Sequence, residues 1–383
     1  MTNVKRPDVS VIILNWNTCQ LLKDCLETLT QPQSDASNID VQIIVVDNAS
    51  EDDSREMVST LFPHVTLQFN HTNIGFGAGN NTALSMADGR YVLFLNSDTK
   101  VMEGALSTLV AYGDTHPDVG ILGPKLLNAD GSLQYSCRRY PQLLTGFFRN
   151  TPLGRLFPQN RFTTDYLMQD WDHASPRDVD WVSGAALMIR RELLDQIGSF
   201  DEEYYMYCED VDLCWRANHA PHTFTSNAVS LNGSTSKSSS IDNVSNDSSP
   251  SRTWRVTYLP DAVIYHFIGK SSDQVPTRMT YEFHRSQYLF YKKHYAARTP
   301  LLLRPIILPG IALRAIGQIL RYRFRHMKHK LMLWRQRHVK AEITASQTNQ
   351  VSTINQGSQL NKANKTANQA ASHTGGSRPG DAS

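Results

Sequence analysis

The chain has 383 residues, with 38 Lys and Arg against 36 Asp and Glu and 40% hydrophobic residues. This composition is sufficient to bury one large core or two small ones, and it excludes a chain that is disordered throughout. The five cysteines form no Cys-x-x-Cys pair and no zinc spacing, which argues against a structural zinc site and favours a reducing compartment.

The first hundred residues alternate short β-branched runs with helical stretches. Charges and a proline precede the first apolar run, "VSVIILNWN", so we predict a buried strand there and no export signal. The helix "CQLLKDCLETLTQ" and the strands "VQIIVVD", "VTLQFN" and "RYVLFLNSDT" follow in that order. This order predicts βαβ units in an α/β fold with a mostly parallel sheet, whose carboxyl-terminal strand edge forms the ligand crevice.

Two acidic residues follow predicted strands directly. Asp47 in "VVDNAS" is suited to accept hydrogen bonds from ribose hydroxyls or a base N–H, or to cap the next helix. Asp98 in "NSD", beside Asn96, is a hard oxygen donor suited to a magnesium or manganese ion that bridges phosphate oxygens, although the motif alone is also compatible with a turn.

A glycine-rich segment, "NIGFGAGNN", lies between the third and fourth predicted strands. It does not fit the dinucleotide fingerprint G-x-G-x-x-G, because the position of the third glycine holds Asn80 and the segment does not follow the first strand. A Rossmann dehydrogenase is therefore disfavoured. We expect glycines such as Gly75 to permit close approach of the backbone to a ligand, with Asn73 and Asn80 supplying polar contacts.

Three carboxylates are concentrated in "YMYCEDVDLCWR", residues 205–216. Asp212 is spaced to pair with Arg216 on a helix, which would be a structural role. Glu209 and Asp210 are adjacent and so need different partners. Two acids at a helix N-terminus fit one carboxylate that is oriented by hydrogen bonds and one that takes a proton from a substrate hydroxyl.

An ordered set of motifs resembles family 2 glycosyltransferases of the GT-A fold, which has a Rossmann-like, mostly parallel central sheet. The similarity extends to the bacterial rhamnosyltransferase-like branch of cell-surface polysaccharide synthesis, and it covers residues 8–295. The motifs are "VSVIILNWN", "VVDNAS", "NIGFGAGNN", "FLNSD", "WVSGAALMIRRELLDQIGSFDEEYYMYCEDVDLCWR" and "YLPDAVIYHFIGKS".

This resemblance implies a role for each matching residue. Asp210 would be the general base and Glu209 an acceptor-binding or orienting partner. Asp98 would bind Mg²⁺ or Mn²⁺, with His266 either completing the metal site or acting only as a core histidine. The donor nucleotide-sugar would be contacted by Asn15, Asp47, Asn73, Gly75, Asn80, Asn96 and Asp98, and the sugar or acceptor pocket would be lined by Trp181, Ser183 and Gly184.

The implied reaction is a single inverting displacement by a metal-dependent hexosyl- or deoxyhexosyltransferase. The donor would be dTDP- or UDP-linked, with rhamnose one candidate sugar, and the acceptor a lipid-linked or cell-surface glycan. The alternative is a non-catalytic nucleotide-sugar-binding protein of the same fold. The donor sugar, the linkage and the oligomeric state depend on features that these motifs do not specify.

The remaining segments differ in composition from the core. Residues 219–252 read as a Ser/Asn-rich low-complexity insertion, and residues 342–383 as a disordered tail. Residues 296–341 contain many cations, no acidic residue and an interrupted apolar pattern, which predicts a basic amphipathic helical extension on an anionic membrane surface. Nucleic acid is the alternative partner for such a basic segment, but the sequence contains no RNA or DNA recognition motif beside it. We therefore expect a cytoplasmic protein, peripheral on the inner face of the cell membrane.

Overall fold

The computed structural model describes residues 6–30, 39–142, 145, 156–157, 160–222, 252–267, 276–305, 307–322, 324, 327–328, 332, 334, 355 and 357–366. The chain divides into two compact units, Met1–Ala315 and Ile316–Ser383. The first unit contains every residue proposed above for donor binding or catalysis.

The strands of the described residues are seven residues long or shorter, except for β6 with nine residues and β14 with twelve. They are β1 (Val9–Asn15), β2 (Val41–Asp47), β3 (Thr66–Phe69), β4 (Tyr91–Asn96), β5 (Thr99–Val101), β6 (Val119–Leu127), β7 (Leu133–Gln134), β8 (Cys137–Arg138), β9 (Arg177–Asp178), β10 (Trp181–Val182), β11 (Ala186–Arg190), β12 (Pro221–His222), β13 (Arg252–Thr253) and β14 (Arg255–His266).

The α-helices of the described part of the first unit are α1 (Cys19–Thr30), α2 (Ser54–Leu61), α3 (Phe76–Asn81), α4 (Ala105–Thr115), α5 (Arg161–Tyr166), α6 (Arg191–Ile197), α7 (Glu209–His219) and α8 (Pro276–Phe290). A short 3₁₀ turn covers Leu84–Met86, and α8 continues into a π-helical turn at Tyr291–Tyr295 and a 3₁₀ turn at Ala296–Arg298.

The main sheet has the order β3-β2-β1-β4-β11-β6-β14-β5. The pairs β3–β2, β2–β1, β1–β4 and β6–β14 are parallel, which confirms the predicted βαβ organisation and α/β class. The sheet is nevertheless mixed, because β11 runs antiparallel to both β4 and β6. This reversed strand follows β10 through a short turn without a crossover helix, so it can start at the carboxyl-terminal edge of its neighbours.

Alternate residues of the central strands face two different apolar layers. Along β1, Val11 and Ile13 pack in a cluster with Leu26 and Leu109, whereas Ile12 packs with Phe94 in the opposite layer. All of these side chains are essentially inaccessible. A parallel strand that is buried on both faces has a continuous apolar sequence, which explains why "VSVIIL" and "VQIIVV" show no alternation.

The segments that flank the core are described only in part. The chain is ordered through β12, and β12 pairs with β13, so most of the predicted insertion, residues 223–251, lies outside the described residues. Within residues 296–341, residues 307–322 are helical. Residues 357–366 are helical, whereas the sequence predicted disorder for residues 342–383; the other residues of that tail, apart from residue 355, lie outside the described set. No helix of the described residues is long and apolar enough to cross a membrane.

Candidate active site

Asp47 lies at the carboxyl end of β2 and is 1% exposed. One carboxylate oxygen accepts hydrogen bonds from the Ser50 N–H at 3.1 Å and from Arg55 Nε at 2.6 Å, while the other accepts from Asn15 Nδ2 at 3.3 Å. The N-cap of α2 is Asp53, so Asp47 does not cap that helix. Its carboxylate instead holds the β2 turn against β1, with the half-exposed Arg55 as its counter-ion.

The glycine segment is held against the loop that precedes α7. Gly75 has φ +95°, and a Cβ at this position would lie 2.3 Å from the Tyr205 carbonyl oxygen. The Phe76 N–H donates to that same oxygen at 2.8 Å, and the Tyr205 hydroxyl donates to Asn73 Oδ1 at 3.0 Å. Only glycine permits this close approach, and it brings the predicted donor segment to the predicted acidic segment.

Asn48 was not singled out in the sequence, yet it organises the glycine segment. Its amide nitrogen donates to Asn73 Oδ1 and to the Gly75 carbonyl oxygen, both at 3.0 Å. Asn80, which is 1% exposed, donates to the Phe76 carbonyl oxygen at 3.0 Å. The Oδ1 atom of Asn80 is buried without a partner among the described residues, so this oxygen is an available acceptor beneath the segment.

Asp98 and His266 lie together at the ends of different strands. Asp98 Oδ1 is 3.3 Å from His266 Nε2, and both residues are almost fully buried. The Nδ1 atom of His266 is 2.7 Å from Gln134 Oε1, whereas Nε2 is 3.3 Å from Asn96 Nδ2. If Nδ1 carries the proton, it donates to the Gln134 oxygen, and the Nε2 lone pair can accept from Asn96 Nδ2 or bind a metal ion. A histidine that binds a metal through Nε2 requires this tautomer.

This pair fits a divalent ion that takes its remaining ligands from phosphate oxygens. The described residues contain no group of three or more His, Cys, Asp or Glu side chains arranged to hold a metal alone. A protein that binds Mg²⁺ together with a nucleotide needs only one or two carboxylates, because phosphates and waters complete the coordination. Gln134, on β7, was not predicted from the sequence.

A chain of hydrogen bonds joins the Asp47 region to the "NSD" element. Asn15 Oδ1 accepts from the Thr18 hydroxyl at 2.7 Å, and that hydroxyl lies 2.8 Å from the Ser97 hydroxyl. All three side chains are buried. Asn15, predicted as a donor contact, therefore connects the two acidic positions within the protein.

The turn before α7 has an uncommon backbone conformation. Tyr207 and Cys208 have φ +71° and +67°, a region that side chains larger than glycine rarely adopt. The turn is held from α8, where Ser286 Oγ donates to the Met206 carbonyl oxygen at 2.8 Å and Arg285 Nη1 donates to the Glu203 carbonyl oxygen at 2.9 Å. These contacts fix where α7 starts.

Glu209 and Asp210 occupy the first turn of α7, as predicted. One Asp210 oxygen accepts from the Gly184 N–H at 2.9 Å, and the other accepts from the Val211 N–H at 2.8 Å. Burial raises the pKa of Asp210, while these backbone donors and the Arg138 charge oppose that shift. Burial and the neighbouring Asp210 charge raise the pKa of Glu209 well above its ordinary value, and its Oε2 atom has no partner among the described residues.

Asp212 has the structural role that its spacing predicted. Arg216 Nε donates to it at 2.8 Å, which confirms the i,i+4 pair, and His294 Nε2 lies 2.7 Å from its other oxygen. Burial acts to raise the pKa of Asp212, but the hydrogen bonds from His294 and Arg216 outweigh it and the pKa is lowered. His294 comes from the π-helical turn after α8 and was not anticipated.

The predicted pocket residues form the segment that leads into β11. Trp181 Nε1 donates to the Arg139 carbonyl oxygen at 2.9 Å, and the Ser183 N–H donates to the Ser136 carbonyl oxygen at 2.8 Å. The Gly184 N–H donates to Asp210, while the next carbonyl, that of Ala185, accepts from the Asn96 N–H at 2.9 Å. Gly184 and Ala185 therefore link the Asp210 carboxylate to the backbone at the end of β4, two residues before Asp98.

Comparison with known proteins identifies similar glycosyltransferases. Residues 10–197 match the family described as Glycosyl transferase family 2. An N-acetylglucosaminyl-diphospho-decaprenol L-rhamnosyltransferase from Mycobacterium tuberculosis is 28% identical over 324 residues, covering 82% of this chain and 94% of that protein. Rhamnosyltransferase WbbL from Escherichia coli K12 is 28% identical over 224 residues, and the match covers 55% of this chain and 77% of that protein.

Among solved structures, a mannosyltransferase from Pyrobaculum calidifontis in complex with GDP-Man and Mn²⁺ aligns with a TM-score of 0.44 at 17% identity, covering 82% of this chain and 74% of that one. TarS residues 1–349 from Staphylococcus aureus align with a TM-score of 0.41 at 17% identity, covering 82% and 80%.

Proposed function

We propose, from the premise that residues 10–197 form a glycosyl transferase family 2 domain, that the chain is an inverting, metal-assisted glycosyltransferase. The donor is a nucleoside-diphosphate sugar, with dTDP-linked rhamnose the first candidate and UDP-linked sugars the second. The acceptor is a lipid-linked glycan. Both matched rhamnosyltransferases supply the candidate sugar, and the name of the Mycobacterium tuberculosis relative supplies the class of acceptor.

The observation that carries this proposal is the pair of hydrogen bonds made by consecutive residues, Gly184 and Ala185. The first residue binds the Asp210 carboxylate and the second binds the backbone at Asn96, two residues before Asp98. A displacement at an anomeric carbon needs a base on the acceptor side and charge stabilisation at the departing diphosphate. The link through Gly184 and Ala185, which directly precede β11, supports a site in which Asp210 is the base and Asp98 lies on the diphosphate side.

Asp210 is the proposed base. Both of its oxygens accept backbone N–H bonds, which orient the carboxylate while leaving a second lone pair on each oxygen. The acceptor hydroxyl gives its proton to this carboxylate as its oxygen bonds to the anomeric carbon. The bond from that carbon to the donor diphosphate breaks, and the nucleoside diphosphate leaves with the electron pair. A single displacement of this kind inverts the anomeric centre without a covalent enzyme intermediate.

On the donor side, Asp98 and His266 would hold the divalent ion. When bound, Mg²⁺ or Mn²⁺ would offset the negative charge that develops on the diphosphate oxygens. Asp47 is the proposed acceptor of hydrogen bonds from the nucleoside, because β2 ends at Asp47 on the same sheet edge as Asn96 of β4, with β1 between the two strands. Asn73 and Gly75, which Asn48 and Tyr205 hold in place, belong to the proposed donor-contacting segment, and Asn80 has an unpartnered oxygen within the described residues.

The basic extension is the proposed membrane contact. Exposed apolar side chains recur through its described residues: Leu301, Leu302, Leu303, Leu308, Leu313, Ile316, Leu320, Phe324, Met327, Met332 and Trp334. Cations such as Arg314 and Arg321 lie among them, and the sequence from 283 to 341 contains no acidic residue. Exposed apolar groups together with cations suit an anionic lipid surface better than nucleic acid. The protein would then work at the inner face of the cell membrane, beside lipid-linked acceptors.

A donor panel tests the proposed activity. Purified protein is incubated with dTDP-rhamnose, UDP-N-acetylglucosamine and other nucleotide-sugars, a short-chain lipid-linked acceptor and Mg²⁺ or Mn²⁺, and release of nucleoside diphosphate is measured. We expect acceptor-dependent release with one donor, and loss of metal-dependent donor binding in Asp98→Ala. Metal-dependent binding of a donor with no release under any combination would instead support a non-catalytic nucleotide-sugar-binding protein.

A further inference from the structure

Arg138 lies beside the proposed active site on β8. It is the register partner of Trp181 in the β8–β10 pair. Its guanidinium carbon lies 5.2 Å from the Trp181 ring centroid and 5.7 Å from the Tyr166 ring centroid. Stacking on aromatic rings fixes the plane of a guanidinium group without using its N–H donors.

Most of the hydrogen-bonding capacity of Arg138 is unused. Its Nη2 donates to the Tyr135 carbonyl oxygen at 3.2 Å, and its Nη1 makes a long contact of 3.5 Å with the Tyr166 hydroxyl. The Nε atom is buried without a partner, and no carboxylate of the described residues lies within salt-bridge distance of the side chain. A guanidinium has five N–H donors, so Arg138 is a preorientated cation with capacity for an anion.

Two other arginines in this region show the contrast. Arg139, the next residue, has Asp180 as its counter-ion at 3.3 Å. Arg177 stacks on Trp171 in a similar way, at 5.2 Å, but has Asp170 at 3.7 Å. Stacking on an aromatic ring therefore occurs here with a counter-ion as well, and Arg138 is distinguished by having none among the described residues.

Arg138 is also close enough to Asp210 for its positive charge to lower the pKa of that carboxyl, although no hydrogen bond joins the two. The segment 181–184 provides contacts to both: Trp181 stacks on Arg138, and the Gly184 N–H binds Asp210. A substrate bound against residues 181–184 would contact both the proposed base, Asp210, and the Arg138 guanidinium group.

We propose that Arg138 binds a phosphate of the acceptor, the group that links the acceptor's first sugar to its lipid. This inference rests on the proposed function. In the proposed function the donor diphosphate lies at Asp98 and His266, beyond the end of β4 that Ala185 contacts. An acceptor hydroxyl at Asp210 and a phosphate on the same sugar's anomeric carbon are separated by one pyranose ring, so a cation beside the base is placed for that phosphate. Guanidinium groups pair with phosphate oxygens through parallel N–H bonds.

Arg138→Gln tests this with two acceptors that differ only in the linker. One is a short-chain prenyl diphosphate of N-acetylglucosamine, and the other is the octyl glycoside of the same sugar. Loss of a charged hydrogen-bonding partner predicts a decrease of about 10- to 100-fold in kcat/KM for the diphosphate acceptor. The donor KM should be unchanged, and the variant should lose much less with the neutral glycoside. Arg139→Gln is the matched control, and it should not discriminate between the two acceptors.

A role of Arg138 in tuning Asp210 alone gives a different result. In that case Arg138→Gln would lower kcat/KM equally for both acceptors and move the acidic limb of both pH profiles upward, which would overturn the proposal. A raised donor KM with unaltered acceptor selectivity would also overturn it, because the anion would then be the donor's diphosphate. If Arg138→Gln does not fold, Arg138→Lys is measured in its place. A moderate decrease in kcat/KM, relative to wild type, for the diphosphate acceptor alone supports the proposal. The same relative change in kcat/KM for both acceptors refutes it.

A binding measurement separates this inference from the proposed activity. Inorganic pyrophosphate is titrated into the protein in the presence of EDTA, which removes metal-dependent binding, and the fluorescence contribution of Trp181 is taken as the difference from Trp181→Phe. A saturable change that Arg138→Gln abolishes supports the anion site even if the donor panel yields no transfer. Transfer by the wild type together with no pyrophosphate response and no acceptor discrimination rejects the site while leaving the activity intact.

Discussion

The contacts of Asp212 with Arg216 and His294 allow a quantitative prediction about what holds α7 in place. Asp212→Asn keeps the shape of the side chain but removes its charge. Asp212 is 1% exposed and its two oxygens bind Arg216 and His294. The change therefore breaks the ion pair with Arg216 within α7 and weakens the buried hydrogen bond with His294, which joins α7 to the turn that follows α8, without altering either of the acids proposed to meet substrate.

The expected cost lies below the usual value for a broken buried ion pair, which is about 3–5 kcal/mol. Arg216 is not stranded, because its guanidinium also donates to the carbonyl oxygens of Ile197, Gly198 and Ser199. The asparagine oxygen can still accept one hydrogen bond. We therefore expect the free energy of unfolding to fall by about 2–3 kcal/mol, the range for losing a charged hydrogen bond at a buried site.

Urea denaturation at pH 7 measures this, with Glu27→Gln as the matched control. Glu27 pairs with Lys23 at the same i,i+4 spacing, but the two side chains are 46% and 33% exposed. Such an exposed pair contributes only about 0.3–0.5 kcal/mol. A loss in Asp212→Asn no larger than that in Glu27→Gln would refute the assignment of Asp212 as the buried anchor of α7.

The sign of the pH dependence gives a second check. The pKa of Asp212 is lowered from its ordinary value of 3.8 in the folded protein, so the unfolded chain binds this proton more readily. The stabilisation from Asp212 is therefore complete above the unfolded pKa and is lost as pH falls through the folded one. The part of the difference in unfolding free energy between wild type and Asp212→Asn that comes from the Asp212 charge should therefore shrink as pH falls below about 4.

Asp210→Asn should lower turnover at least about 100-fold with nucleotide binding nearly intact, measured by single-turnover kinetics and calorimetry; near-normal turnover would exclude it as the base. Since the pKa of Asp210 is raised above 3.8, wild-type kcat/KM should fall with acidification at a pH above that value. Gly75→Ala, whose Cβ would meet the Tyr205 carbonyl oxygen, should weaken donor binding about tenfold or more and lower the melting temperature, whereas Gly131→Ala, with open space around it, tests for positive-φ strain alone. Replacing residues 223–251 by Asn-Gly should change the free energy of unfolding by no more than about 2 kcal/mol, because His222 and Arg252 are already register partners; loss of cooperative unfolding would contradict this. Replacing the Lys and Arg residues of positions 321–330 with Gln should reduce the amount of protein that sediments with anionic vesicles. Undiminished binding to the vesicles would remove support for electrostatic anchoring.

The strands and their terminal polar residues were predictable because both rest on local patterns. Continuous apolar runs specified β1, β2 and β4, and Asp47 and Asp98 follow such runs directly. The helical start at Glu209 was also predictable, since acidic residues are favoured in a first turn. Each of these signals is contained within about ten residues of sequence.

The residues that the sequence did not identify act through contacts between distant segments. Gln134 is 132 positions from His266, and His294 is 82 positions from Asp212. Nothing in the composition around Gln134 or His294 distinguishes them from surface residues. The antiparallel direction of β11 was missed for a related reason: its apolar sequence fits either direction, and the choice is made by pairing with β4 and β6.

The reversed strand β11 has a consequence for how such a protein can diversify. The spacing between the proposed base and the donor strand is set by backbone hydrogen bonds at Gly184 and Ala185. A side-chain exchange in this segment that leaves those backbone hydrogen bonds intact would keep the spacing unchanged, so single substitutions can accumulate here while the geometry persists. A one-residue insertion between positions 183 and 186 would shift the Gly184 N–H, which binds Asp210, relative to the backbone contact with β4 at Asn96. Natural variants should therefore vary in side chain along this segment and hold its length constant.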